Sequence, residues 1–144
     1  MTGFRIGSIR GIPVRVHWTF LLALPLVAAH FGRYLVRDLE VRDEDVQDAL
    51  VLLWGLAAAV GIFASVLAHE AAHSLYALRK GGEIRDILLL PFGGVSRMER
   101  APTRPWDEGI MALLGPLTSA AIGIVLLVVS SLVAGILPFP VVWA

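Results

Sequence analysis

Cysteine is absent from this 144-residue chain, which excludes disulfides and thiolate metal sites and leaves the redox compartment unread. Neither sign of charge predominates, because twelve Lys and Arg balance twelve Asp and Glu. There is therefore no basic field to attract nucleic acid. No internal repeat and no low-complexity tract is present. A cleavable presequence is not expected either: the first apolar run starts only near Val16, behind Arg5, Arg10 and Arg15, and lacks a small-residue cleavage site.

What the chain has in excess is apolar surface. Hydrophobic residues make up 57% of it and its mean hydropathy is +0.76, whereas soluble domains average roughly 45–50% apolar residues. Charge is missing from three long stretches. Val16–Gly32 lacks Asp, Glu, Lys and Arg, and has Trp18 near its start and Tyr34 just beyond its end, as interfacial aromatic belts require. Ala49–Ala68 is uncharged, and its helical pattern continues through His69 and His73 to Leu78, closed by Arg79 and Lys80 and stopped by Gly81–Gly82. Ile110–Leu137 is uncharged throughout, behind Pro102, Pro105, Trp106, Asp107 and Glu108.

Since a crossing needs roughly 20 apolar residues, the expectation is an all-α membrane protein with about three transmembrane helices, near 16–36, 49–78 and 109–137. Pro25 is expected to kink the first. Two segments depart from helical patterning. Residues 83–100 read as a short membrane-associated β-hairpin around Pro91-Phe92-Gly93-Gly94, and residues 4–16 as short N-terminal β segments broken at Gly11–Pro13. The reading is one membrane-embedded core over 1–144, expected to be a truncated piece of a longer protein.

Nine of the twelve basic residues fall in 1–15 and 79–104, and the other three in or beside the acidic connection 37–48. The positive-inside rule then places the N-terminus and the hairpin in the cytoplasm of a multi-pass cell-membrane protein, with the acidic loop and C-terminus outside.

The chemistry is concentrated in His69-Glu70-Ala71-Ala72-His73. Helical positions four apart share a face, so His69 and His73 can offer imidazoles to one metal ion, Zn2+ being the usual choice for this pattern. Glu70, to one side, can act as general base on water without being a ligand. With four histidines in the chain, a chance occurrence is expected in roughly one sequence in a hundred or fewer. Position adds weight. The motif closes a run that otherwise excludes charge, and ionisable residues within a span are mostly functional. The plain alternative is that residues 69–80 have left the membrane and form an ordinary cytoplasmic helix face. Gly61 and Ser65 precede His69 at four-residue steps, and Gly115, Ser119 and Gly123 repeat the small-xxx-small spacing of closely packed helices.

These residues sit among further blocks: Gly11-Ile12-Pro13-Val14, Val16-His17-Trp18-Thr19-Phe20, Leu88-Leu89-Leu90-Pro91-Phe92-Gly93-Gly94-Val95 and Gly115-Pro116-Leu117-Thr118-Ser119. In order and spacing they resemble the site-2 proteases, the intramembrane zinc metalloproteases, and among them the prokaryotic branch that often carries CBS domains. The resemblance covers nearly the whole chain. It implies a zinc endopeptidase with a site recessed from the cytoplasmic face, Glu70 as catalytic base and His69 and His73 as ligands. Its substrates would be transmembrane segments of membrane-tethered regulators, held extended by strand addition to the hairpin. Two departures stand out. Ala71-Ala72 replaces the usual Leu-Gly, and the third ligand that the resemblance implies, an aspartate in a Leu-Asp-Gly-like motif of a later span, does not occur before Ala144.

Asp86, Glu99, Asp107 and Glu108 are the nearby acids in sequence, and none carries a matching motif. Two other classes remain. A catalytically inactive, protease-like membrane scaffold would show such a missing ligand. A metal or proton transporter would need ionisable residues spread over several spans, and the third span has none.

Overall fold

In a computed structural model, which describes residues 3–36, 44–102 and 104–136, alternation and apolar length each take the form that physical chemistry assigns them. Strands β1 (Gly3–Ile9) and β2 (Ile12–His17) form an antiparallel hairpin, and helices α1 (Phe20–Val36) and α2 (Glu44–Arg79) follow. Strands β3 (Glu83–Leu90) and β4 (Gly93–Arg100) make a second hairpin before helix α3 (Pro105–Ile136). The break expected at Gly11–Pro13 is narrower than that. Arg10 and Gly11, with φ of 47° and 87°, make a two-residue turn of the kind that suits strand twist, and Pro13 lies within β2.

The two hairpins are one sheet, ordered β1-β2-β3-β4. Its centre is a parallel pairing in which Val14 faces Ile87 and Val16 faces Leu89. The β content is thus larger and more unified than the separate segments expected from sequence. Buried and half-buried residues alternate cleanly along β2. Ile12, Val14 and Val16 join Ile87 and Leu89 on the inner face, against Phe63 and Ala71 of α2, with Leu67, Leu75 and Leu78 packed around them. Phe20, at the start of α1, stacks obliquely on Phe63 at 4.0 Å between ring centres.

The helices explain how β2 and β3 become parallel neighbours. Helix α1 has 17 residues and α2 has 36, or about 26 and 54 Å at 1.5 Å per residue. They run antiparallel in close contact. A Cβ on Gly32 would stand 2.1 Å from the Val51 carbonyl oxygen, and one on Gly55 would stand 2.0 Å from that of Ala28. Helix α2 therefore returns past the point where α1 began and continues alongside the sheet. It ends with Gly81 in the left-handed region (φ 81°) and Gly82 N–H donating to the Ala77 carbonyl at 2.8 Å, a glycine C-cap of Schellman type. The chain then turns back as β3.

Helix boundaries differ from the apolar runs for a simple reason. Helix α2 starts at Glu44 rather than near 49 because its first turn is acidic, which suits a helix N-terminus. Helix α1 starts at Phe20 because 12–17 is strand, and α3 starts at Pro105, a residue favoured at the first helical position. The rest of the expected connection, 37–43, and the end of the third apolar run, Leu137, lie outside the described residues.

Helices α2 and α3 are long and apolar enough to cross a bilayer, and their apolar windows are only 17% and 6% buried. Leu52, Leu53, Leu56, Leu126, Leu127 and Leu132 all stand exposed. Soluble monomers rarely expose apolar patches of this extent, and such surfaces fit a membrane protein. The 17 residues of α1 are at the lower limit for a span.

The outer face of the sheet carries an ion-pair cluster beside Leu88 and Val95. Asp86, only 3% exposed, pairs across strands with Arg97, whose Nε donates to Oδ1 at 2.5 Å and whose Nη2 donates to Oδ2. Arg15 Nε lies 3.3 Å from Oδ2. The hydrogen bonds from Arg97 hold the Asp86 carboxyl below its ordinary 3.8, against the opposing effect of burial. Because the folded chain favours the ionised form, this stabilisation is complete above 3.8 and is lost as pH falls towards the lower folded value. Asp86→Ala is expected to cost roughly 1–3 kcal/mol at pH 7. Thermal midpoints measured from pH 7 down to 3 are expected to fall more steeply in the wild type than in the variant.

Candidate metal centre

The faces of the lower half of α2 meet different neighbours. Residues 63, 67, 71, 75 and 78 take the sheet, which turns His69 and His73 towards α3 and leaves Glu70 at the seam between sheet and α3. The two histidine rings are 4.9 Å apart, edge to face. Each is held through Nδ1. His73 Nδ1 lies 2.6 Å from the Met111 carbonyl oxygen, and His69 Nδ1 lies 2.9 Å from Ser119 Oγ.

A carbonyl oxygen only accepts, so the contact with Met111 requires the proton on Nδ1 of His73 and leaves its Nε2 lone pair free. Outer-shell bonds of this kind orient metal-ligating histidines and raise their basicity.

Both Nε2 atoms converge on Gly115. A Cβ there would lie 2.1 Å from Nε2 of His73 and 2.6 Å from Nε2 of His69. The missing side chain keeps open the space beside both Nε2 atoms, where a Cβ could not fit. The donor set suits zinc. Among the described residues no third His, Cys, Asp or Glu joins them. Asp107 is engaged elsewhere, accepting from Tyr76 Oη at 2.8 Å and pairing with Lys80 Nζ at 3.0 Å. Asp86 is committed to its arginines.

Glu70 lies against β4. A Cβ on Gly94 would stand 2.5 Å from Glu70 Cγ, so the side chain rests on bare backbone. Ser96 Oγ donates to Glu70 Oε2 at 2.8 Å. A cavity of about 260 Å³ opens over this arrangement, lined by Ser65, Val66, His69, Glu70, Gly93, Gly94 and Ser119. Sequence reasoning identified the trio and the small residues Gly115 and Ser119. It missed Ser96, whose only signal was its even spacing from Gly94 on a strand. It also missed the Tyr76–Asp107–Lys80 clamp, signalled by Tyr76 and Lys80 four apart before an acidic helix start. Close packing does not extend along the whole small-residue stripe: Cβ atoms on Gly61 and Gly123 would meet open space, within an apolar cleft of about 610 Å³ lined also by Phe31, Ile122 and Leu126.

Comparison with known proteins gives a consistent picture. Residues 57–140 match the model for peptidase family M50. The chain is 36% identical over 126 residues to zinc metalloprotease MJ0392 of Methanocaldococcus jannaschii, covering 88% of this chain and 32% of that protein. It is also 36% identical over 137 residues to the Synechocystis protein sll0528, which carries a provisional zinc-metalloprotease name, covering 95% of this chain and 34% of that one. The solved site-2 protease from M. jannaschii superposes with a TM-score of 0.64 at 33% identity, over 91% of this chain and 52% of that one. The chain spans about a third of the length of the curated relatives it matches.

The geometry at Gly115 makes a direct prediction. Bound metal, measured by elemental analysis of purified protein, is expected to fall to background in Gly115→Ala as it does in His73→Ala. Gly123→Ala, which adds its methyl to open space, is expected to keep the wild-type content.

Proposed function

Because the chain belongs to peptidase family M50, the site-2 proteases, we propose that it forms the histidine-bearing part of an intramembrane zinc endopeptidase. The observation that carries this reading is the convergence of both histidine Nε2 atoms on Gly115, with Glu70 and His69 lining one cavity beside it. His69 and His73 hold zinc. A third ligand is supplied from outside the described residues, by an aspartate of a further span. When bound, zinc lowers the pKa of water towards neutrality and polarises a carbonyl oxygen.

The chain's own residues do the rest. Glu70 takes a proton from the attacking water as its oxygen bonds to the scissile carbonyl carbon, and returns that proton to the amide nitrogen as the C–N bond breaks. One water is consumed, and a carboxylic acid and an amine are formed. Ser119 and the Met111 carbonyl keep the imidazoles oriented while this happens.

The substrates are transmembrane segments of membrane-tethered proteins, cut within the bilayer. Helix α1 serves as a third span, and the nine of twelve basic residues that fall in 1–15 and 79–104 support a cytoplasmic N-terminus and sheet. Extended substrate adds to the sheet at β4, the edge strand beside Glu70 among the described residues.

One observation favours a second reading. The described residues offer no third ligand, which is what a catalytically inactive scaffold would present. Glu70→Gln separates the two. For the protease, cleavage of a membrane-spanning substrate in liposomes is expected to fall by at least about a hundredfold, in line with the loss of a general base, with zinc content unchanged. Equal product from wild type and variant would refute the assignment.

A further inference from the structure

Glu70 is held more tightly than a surface glutamate would be, and what holds it is not part of the HExxH motif. In the β3–β4 pairing Leu89 faces Gly94 and Ile87 faces Ser96, so Gly94 and Ser96 share the inner face that packs on α2. Ser96 Oγ is 2.8 Å from Glu70 Oε2 and 3.1 Å from the Glu70 backbone carbonyl. Ser74, one turn further along α2 and fully buried, donates its hydroxyl to Ser96 Oγ at 2.9 Å. A serine has a single proton to give. With Ser74 occupying an acceptor position on Ser96, the Ser96 proton is shared between a neutral carbonyl and a carboxylate. The carboxylate is the stronger acceptor and the shorter contact.

We propose that Ser96, set by Ser74, is a positioning residue for Glu70. It tethers one carboxylate oxygen so that the other faces the cavity at a fixed angle. The backbone of Gly94 forms the floor beneath the side chain, so the carboxylate is constrained on two sides. A base that must meet a water and later a leaving nitrogen gains from such fixing, since a misplacement of about 1 Å can cost a hundredfold in rate. This inference rests on the protease reading for its catalytic consequence, and on geometry alone for the pairing.

The test uses full-length, zinc-loaded protein in liposomes and a single-span leucine–alanine peptide with a central Asn-Pro break and a fluorophore–quencher pair. In Ser96→Ala, kcat is expected to fall roughly tenfold or more, the scale seen when supporting hydrogen bonds are removed. KM and zinc content should stay at wild-type values. Ser96→Thr keeps the hydroxyl and should recover most of the rate, and Ser74→Ala should lose less than Ser96→Ala. An unchanged kcat in Ser96→Ala, or a loss matched by loss of zinc, overturns the proposal.

A second readout does not need cleavage. Thermal midpoints of metal-free wild type, Ser96→Ala, Glu70→Ala and the double variant should show the double variant losing clearly less than the sum of the two single losses. Additive losses overturn the pairing. If the wild type cuts nothing while this coupling is present, the protease reading fails and the positioning role stands.

Discussion

A helix of 36 residues is nearly twice as long as a bilayer crossing requires, and the surplus must be covered by something other than lipid. That constraint organises the whole chain. The upper part of α2 packs on α1 through Gly32 and Gly55, where the two backbones come close enough to exclude any side chain. The lower part carries the ionisable residues, and it receives a sheet on one side and α3 on the other. Neither cover alone would build the centre. The sheet supplies Gly94 and Ser96 to Glu70, while α3 supplies Gly115, Ser119 and a carbonyl to the histidines. The seam between the two covers is where the cavity opens.

Charges secure both covers at the end of α2 that carries the sheet. On the sheet, Asp86 ties β3 to β4 through Arg97 and approaches Arg15 of β2. At the start of α3, Asp107 is bonded by Lys80 and Tyr76 from the last turns of α2. This clamp lies one turn from Met111, so it also fixes the height at which the Met111 carbonyl meets His73. Ionic contacts and histidine orientation are therefore parts of one mechanical arrangement.

Much of this could be read in the sequence, and the parts that could not share a cause. The His69–Glu70–His73 trio and the hairpin over 83–100 are local patterns, set by helical spacing and by alternation around a turn. The apolar runs marked where charge stops, which is not where helices begin; hence α2 starts at Glu44 and not near Ala49. The union of the two hairpins rests on Val14 meeting Ile87, a pairing of remote segments that no local pattern reveals. The role of Ser96 depends on strand register, since a shift of one residue would send it to the opposite face. Spacing singled out a stripe of small residues, but it could not tell Gly115, which lies against two imidazoles, from Gly61 and Gly123, which border open space.

The acceptor that fixes His73 is a main-chain oxygen, that of Met111. Any amino acid at position 111 brings the same oxygen, so the instruction for orienting this ring is written in the placement of a helix and not in the identity of a residue. Substitutions at 111 can drift in evolution without touching the chemistry. An insertion or deletion between the Asp107 clamp and Met111 would rotate the carbonyl away from His73 with every recognisable motif residue still in place.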